Sequence, residues 1–241
     1  MRTIGVIGGM GPAAAADFYA RVVAAHSALS DQDHPPCIMY SATQVPDRTA
    51  FLLKGGADPT PELVGAVRLV ESAGADFIAI PCNSAHAFLA PMRQAVSIPV
   101  LDMIALVATA AAKVVPQAGR VGVLATSGSV KVGLYDLPLK EQGLAPFYPD
   151  AEVQDDVMVA IKHVKAGGAG ETSDPRLVAA AKHLSDRGAD CIIMGCTEVP
   201  LALTAEDCPV LAIDGNQTLT ETTLGLSLER LDFEEIPYAI R

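Results

Sequence analysis

The patterning of this 241-residue chain predicts an α/β fold with two pseudo-symmetric domains. Each is expected to be a four-stranded parallel sheet flanked by helices, with an active site in the cleft between them. Three observations predict this. Apolar runs of four to six residues alternate with helical patterns of ten to fifteen, the rhythm of βαβ units around buried parallel strands. The stretch Glu71-Ser-Ala-Gly-Ala-Asp-Phe-Ile-Ala-Ile-Pro-Cys82 is matched by Ser185-Asp-Arg-Gly-Ala-Asp-Cys-Ile-Ile-Met-Gly-Cys196, and Pro-Val-Leu follows each copy, at Pro99 and Pro209. Ile4-Gly-Val-Ile-Gly is likewise echoed by Val121-Gly-Val-Leu-Ala.

In chain order, strands are expected over residues 3–7, 37–41, 77–80 and 100–101, then over 121–124, 145–148, 191–194 and 210–212. The opening run is short, glycine-broken and followed by Asp17 on an amphipathic helix, so it reads as a strand and not as a signal peptide. In both copies of the repeat, Gly-Ala-Asp ends a helix and four apolar residues form the strand that delivers the cysteine. The alanine-rich segment 104–115 contains Lys113 and is too short to cross a bilayer. Residues 1–104 with 214–241 are assigned to an N-terminal domain and 105–213 to a C-terminal one, with a helix over 217–231 packing back on the first. No long linker separates the halves, so their strand ends should face a common cleft.

Half the residues are hydrophobic, enough for one or two proper cores. The net charge of −11 and the lack of a basic stripe argue against nucleic acid or an anionic membrane as partner, while leaving room for a small anionic substrate. Five cysteines without regular spacing do not make a disulfide framework and fit reduced thiols in a cytoplasmic protein.

Cys82 and Cys196 each stand at the carboxyl end of an expected strand, where parallel sheets place ligands. A helix start beside a sulfur favours thiolate, and from a reference near 8.5 a modest fall makes a general base. A lone cysteine is more often a small buried hydrophobe. Symmetric placement before Asn83-Ser84 and Thr197-Glu198 favours function, whereas Cys37, Cys191 and Cys208 keep the packing role. Asn83, Ser84, Ala85 and Thr197 are suited to a carboxylate through backbone N–H groups and short polar side chains, with ordinary helix capping as the alternative. Arg48, at a helix start after a proline-led turn, can meet a carboxylate with two N–H groups or can be a solvated surface residue. Lys165, at a helix end, can reach the cleft or simply face the helix dipole.

Gly5-Val-Ile-Gly8-Gly9-Met-Gly11 lacks the dinucleotide spacing, and no acidic residue ends the second strand, so these glycines read as a tight turn near a small ligand. Cys82 and His86 share a helix start, but no second pair completes a metal set, and His86 is expected to cap or to line the cleft. A disulfide between Cys82 and Cys196 would be an inactivating oxidation.

Pro81-Cys82-Asn83-Ser84-Ala85-His86 and Gly195-Cys196-Thr197-Glu198 resemble the paired motifs of the aspartate/glutamate racemase superfamily. Ile4-Gly-Val-Ile-Gly-Gly-Met10-Gly-Pro12, Pro46-Asp47-Arg48-Thr49-Ala50 and Val164-Lys165-Ala-Gly167 extend the resemblance over nearly the whole chain, with the closer match to its aspartate racemases. The resemblance implies an isomerase that uses neither pyridoxal phosphate nor metal, forms a homodimer, and interconverts L- and D-aspartate with Cys82 and Cys196 on opposite faces of Cα. It assigns Met10, Asp47, Arg48 and Thr49 to substrate binding, the last three at the side-chain carboxylate. It assigns Asn83, Ser84 and Ala85 to the α-carboxylate, and Lys165 as a second cation, with Thr197 beside the second thiol. Ser84 replaces the usual threonine and keeps the hydroxyl. Gly8-Gly9 and Glu198 stand where glutamate racemases carry Asp-Ser and histidine, which argues against glutamate as main substrate. The alternatives are a dicarboxylate decarboxylase or cis-trans isomerase, a racemase of glutamate or broader specificity, and a non-catalytic amino-acid-binding module.

Overall fold

The structure is a computed structural model, described for residues 1–168 and 172–236. In chain order its elements are β1 (Ile4–Gly8), α1 (Pro12–Ala24), β2 (Cys37–Ser41), α2 (Arg48–Lys54), α3 (Thr60–Ser72), β3 (Phe77–Ala79), α4 (Leu89–Gln94) and α5 (Met103–Val114). They continue as β4 (Arg120–Ala125), α6 (Ser127–Lys131), α7 (Asp136–Glu141), β5 (Ala145–Phe147), α8 (Ala151–Lys165), α9 (Pro175–Asp186), β6 (Cys191–Gly195), β7 (Leu211–Asp214) and α10 (Gly215–Ser227). Two parallel sheets result, ordered β2-β1-β3 and β5-β4-β6-β7.

The second sheet has its four expected strands, but the first has three. Val100 pairs with Ile78 only as an isolated bridge, through Ile78 N–H to Pro99 O (2.8 Å) and Leu101 N–H to Ile78 O (2.9 Å). Pro99 has no N–H to extend the ladder, and Asp102 caps α5 through the N–H groups of Ile104 and Ala105. Two residues between a proline and a helix cap are too few for a strand. With that bridge counted, the sheets have the same order, and β3 and β6 occupy the same place beside their central strands.

Alternation along each strand divides the core. Ile4, Val6, Phe77, Ala79, Val121, Val123, Cys191 and Ile193 meet Met103, Val107 and Ala111 of α5 in one cluster shared by both sheets. The opposite faces of the sheets are covered separately, around Leu63 and Val67 of α3 and around Val157 of α8 and Leu184 of α9. Each such fully buried Val, Leu or Ile contributes roughly 1.5–3 kcal/mol, which explains why strands covered on both faces carry unbroken apolar runs. α10 packs on α1 and α5. Arg21 of α1 bonds Asp214 (2.6 Å), and Asn216 Nδ2 donates to Ala14 O (3.1 Å) and Asp17 (3.0 Å). The last five residues of the range 214–241 lie outside the described residues. Among the described residues no helix is long and apolar enough to cross a membrane.

Candidate active site

Cys82 lies three residues beyond β3 and Cys196 immediately after β6, both buried. The two cysteine turns touch directly: Thr197 Oγ1 donates to the carbonyl of Pro81 (3.2 Å). Beyond each sulfur the chain enters a 3₁₀ turn, Asn83–Phe88 and Val199–Leu201, and not the α-helix start expected from the sequence. For Cys196 the electrostatics run opposite to that expectation. Burial pushes its thiol well above the ordinary range, Glu198 adds to the push, and Lys165 only partly opposes it.

A single peptide group joins the two thiols. The Met10 carbonyl accepts from Cys82 Sγ (3.2 Å) and from Arg48 Nη2 (3.1 Å). The N–H of that same peptide, on Gly11, donates to Glu198 Oε1 (3.0 Å), and Glu198 Oε2 accepts from Cys196 Sγ (2.9 Å). A Cβ at Gly11 would stand 2.9 Å from Glu198 Oε1, so glycine is what permits the approach. Met10, expected at the substrate, thus contributes its backbone to Cys82 and Arg48.

Arg48 is the first residue of α2, and it is buried, not solvated. Its guanidinium also donates to Val45 O (3.1 Å) and Pro46 O (3.0 Å), while Nε is buried with no partner among the described residues. Asp47 is exposed and accepts from Ala50 N–H (2.8 Å) as the cap of α2. Thr49 packs against α6: a Cβ at Gly128 would lie 2.9 Å from the Thr49 Cα, so glycine lets these helices close over the site. Lys165, the last residue of α8, comes within 3.9 Å of Glu198, and its side chain is partly exposed. Burial opposes its charge, but Glu198 and the two sulfurs outweigh this and hold the ammonium above the ordinary lysine range. A cavity of about 350 Å³ between α2, α8 and the Thr126–Ser127 turn is lined by Asp47, Thr49, Ser127, Lys162 and Lys165, so it connects Lys165 to solvent.

Asn83, Ser84 and Ala85 fall in the buried 3₁₀ turn, with the Ser84 hydroxyl 3.7 Å from Cys82 Sγ. Tyr135, from the loop before α7, donates to Asn83 Oδ1 and leaves Asn83 Nδ2 buried without a partner among the described residues. Tyr135 and the contacts of Glu198 were not foreseen from the sequence. Nothing local marks Tyr135, while Glu198, a carboxylate two residues after a cysteine that ends a buried strand, was a readable signal.

His86 is a brace. Its Nδ1 donates to the Cys82 carbonyl (2.9 Å) and its Nε2 accepts from Met103 N–H (3.1 Å), which requires the neutral ring and ties the first cysteine turn to α5. Burial lowers its pKa from the usual 6.5, with Asp102 pulling the other way. The folded state therefore resists a proton that the unfolded chain takes up, so this contribution is present above about pH 6.5 and is lost as pH falls below it. Melting temperature should drop on acidification through pH 6.5 to 5, and His86→Gln should show a weaker dependence over that interval. Equal slopes in differential scanning calorimetry would contradict this account.

Among the described residues no group of three or more His, Cys, Asp or Glu side chains could hold a metal ion. The site combines two buried thiols, a carboxylate on one of them, two cations, and two buried donors, Arg48 Nε and Asn83 Nδ2, free to meet an anion.

The model of the family described as Asp/Glu/Hydantoin racemase matches residues 7–223. The chain is 28% identical over 234 residues to the broad specificity amino-acid racemase RacX of Bacillus subtilis, covering 93% of this chain and 98% of that one. Among solved structures, Picrophilus torridus aspartate racemase superposes with a TM-score of 0.83 at 26% identity, covering 97% of each chain. Glutamate racemase from Francisella tularensis, solved with D-glutamate, shares the fold with a TM-score of 0.64 at 17% identity, covering 98% of this chain and 84% of that one.

Proposed function

Because this chain belongs to the Asp/Glu/hydantoin racemase family and is an isomerase, we propose that it interconverts L- and D-aspartate by proton transfer between Cys82 and Cys196. The observation that carries the reading is the Met10–Gly11 peptide, which links the two buried sulfurs through its carbonyl to Cys82 and through its N–H and Glu198 to Cys196, with Arg48 Nε and Asn83 Nδ2 as buried donors that have no partner among the described residues. One sulfur removes the Cα proton and the other returns one to the opposite face. Asn83, Ser84, Ala85 and Thr197 hold the α-carboxylate, and Arg48, Thr49 and Lys165 meet the side-chain carboxylate. Fixed donors beside the two buried sulfurs stabilise the carbanionic form, the part of the reaction that binding must supply. The neighbours of Asp47 limit its part to capping α2 and shaping the cavity wall.

In this reading residues 1–104 with 214–241 and residues 105–213 are the two domains that bear one thiol each. The protein works in the cytoplasm as a homodimer, which light scattering on the eluted protein tests.

The test of function is solvent deuterium entering Cα across a panel of L- and D-amino acids, followed by NMR without added cofactor. Both enantiomers of aspartate should exchange and interconvert. Turnover of many amino acids but not aspartate would favour a broader specificity, as the similarity to RacX supports. Consumption of maleate with no exchange into aspartate would point to the cis-trans isomerase.

A further inference from the structure

The two sulfurs sit in unequal surroundings. Cys82 faces a carbonyl that accepts from a thiol and a hydroxyl, on Ser84, that can donate to a thiolate, so its neighbours suit either protonation state. Cys196 faces a carboxylate oxygen at 2.9 Å, which only accepts. Glu198 is itself buried and held from its other oxygen by the Gly11 N–H and Lys165, so it cannot swing away to solvent. We propose that Glu198 is a positioning residue that keeps Cys196 in the thiol form, so that the resting protein carries its proton donor at Cys196 and its acceptor at Cys82. This rests on the two-thiol reading above and adds an order of events to it.

The charged and titratable groups around Glu198 come from five segments of the chain. They are Cys196 after β6, Lys165 at the end of α8, and Cys82 and Arg48 across the Met10–Gly11 peptide, with Tyr135 near Cys196. Lys165 stands 3.9 Å from the Glu198 oxygen that faces away from the thiol. Once Cys196 has given its proton to Cα, two anions would stand 2.9 Å apart, and the pair must regain one proton before the next cycle. The route is through Lys165, which lies 3.9 Å from Glu198 and lines the solvent-connected cavity. The ammonium hands a proton to the pair and is reprotonated from water, while Cys82 releases to water the proton it took from Cα, so one proton leaves and one enters and the resting arrangement returns. The enantiomer whose Cα–H faces Cys82 therefore reacts with the resting protein directly, and the other only after the pair has lost a proton and Cys82 has gained one.

The test reads protonation without turnover. In protein labelled with ¹³C at cysteine Cβ, with resonances assigned through Cys82→Ala and Cys196→Ala, Cys196 should titrate at least about one pH unit above Cys82. Glu198→Gln should lower the Cys196 midpoint by about one unit and leave that of Cys82 in place, while Glu198→Asp should keep the wild-type order. The basic limb of kcat/KM should move down with Cys196 in Glu198→Gln, equally in both directions because the substrate and product are enantiomers. Coincident midpoints for the two sulfurs in the wild-type protein would overturn the proposal, even if Glu198→Gln fails to fold. So would an unmoved Cys196 midpoint in Glu198→Gln. A protein lacking Cys82 that still racemises would instead sink the two-thiol reading and leave this titration standing.

Discussion

Cys82→Ala and Cys196→Ala should each all but abolish the interconversion of L- and D-aspartate proposed above, with losses of roughly 10²–10⁴-fold or more in both directions. The reason is stereochemical. Inversion at Cα needs an acid or base on each face, and a single sulfur cannot serve both without the substrate turning over in a closed site. Neither variant should unfold. Alanine keeps a small apolar group in each place, the Met10 carbonyl still accepts from Arg48, and Glu198 still accepts from Gly11. The other cysteines are the control. Cys37 and Cys208 are pushed to about 11 and Cys191 to about 12, in each case chiefly by burial, and alanine at these positions should leave kcat/KM within a few-fold of wild type. The measurement is the approach of optical rotation to zero from each pure enantiomer. If either thiol variant retained near-normal rates in both directions, the two-base mechanism would be wrong.

Arg48→Met should cost both stability and activity. The guanidinium is buried and donates to the carbonyls of Met10, Val45 and Pro46, which hold the turn after β1 against the start of α2. Methionine fills most of the volume but leaves those acceptors without this donor. At about 1–3 kcal/mol for each buried unsatisfied group, the loss of the Val45 and Pro46 bonds alone should cost about 2–6 kcal/mol. Urea denaturation measures that. Catalysis should fall further than stability explains, because the variant also removes the buried Nε donor and the charge that the proposed function gives to a carboxylate. Arg48→Lys should restore the charge without the activity, since one ammonium cannot span three carbonyls and an anion as a planar guanidinium does. An Arg48→Met protein that unfolds at the wild-type urea concentration with unchanged KM would show that the residue is dispensable.

Much of this was legible in the chain because it is local. The runs at 77–80 and 191–194 announce strands covered on both faces, and the repeated glycine-to-cysteine spacing put both thiols at equivalent strand ends, as β3 beside β1 and β6 beside β4 reproduce. Arg48 could not be read so well. From spacing a surface arginine was as good an account, and only the fold shows it buried against three carbonyls. The fourth strand of the first half failed for a local reason that was present in the sequence, the proline and helix cap on either side of Val100 and Leu101.

The sequence by itself determined the α/β architecture and the repeat that sets Cys82 and Cys196 at equivalent strand ends, because hydrophobic period and repeat spacing are properties of neighbours along the chain. Only the tertiary structure decided what surrounds each sulfur. Glu198 meets Gly11 across 187 positions, Tyr135 meets Asn83 across 52, and Thr197 meets Pro81 across 116. Those distances are closed by packing two sheets on one core. The protonation of a buried thiol depends on the nearest few ångströms of charge and solvent, and no pattern of residues along the chain encodes them.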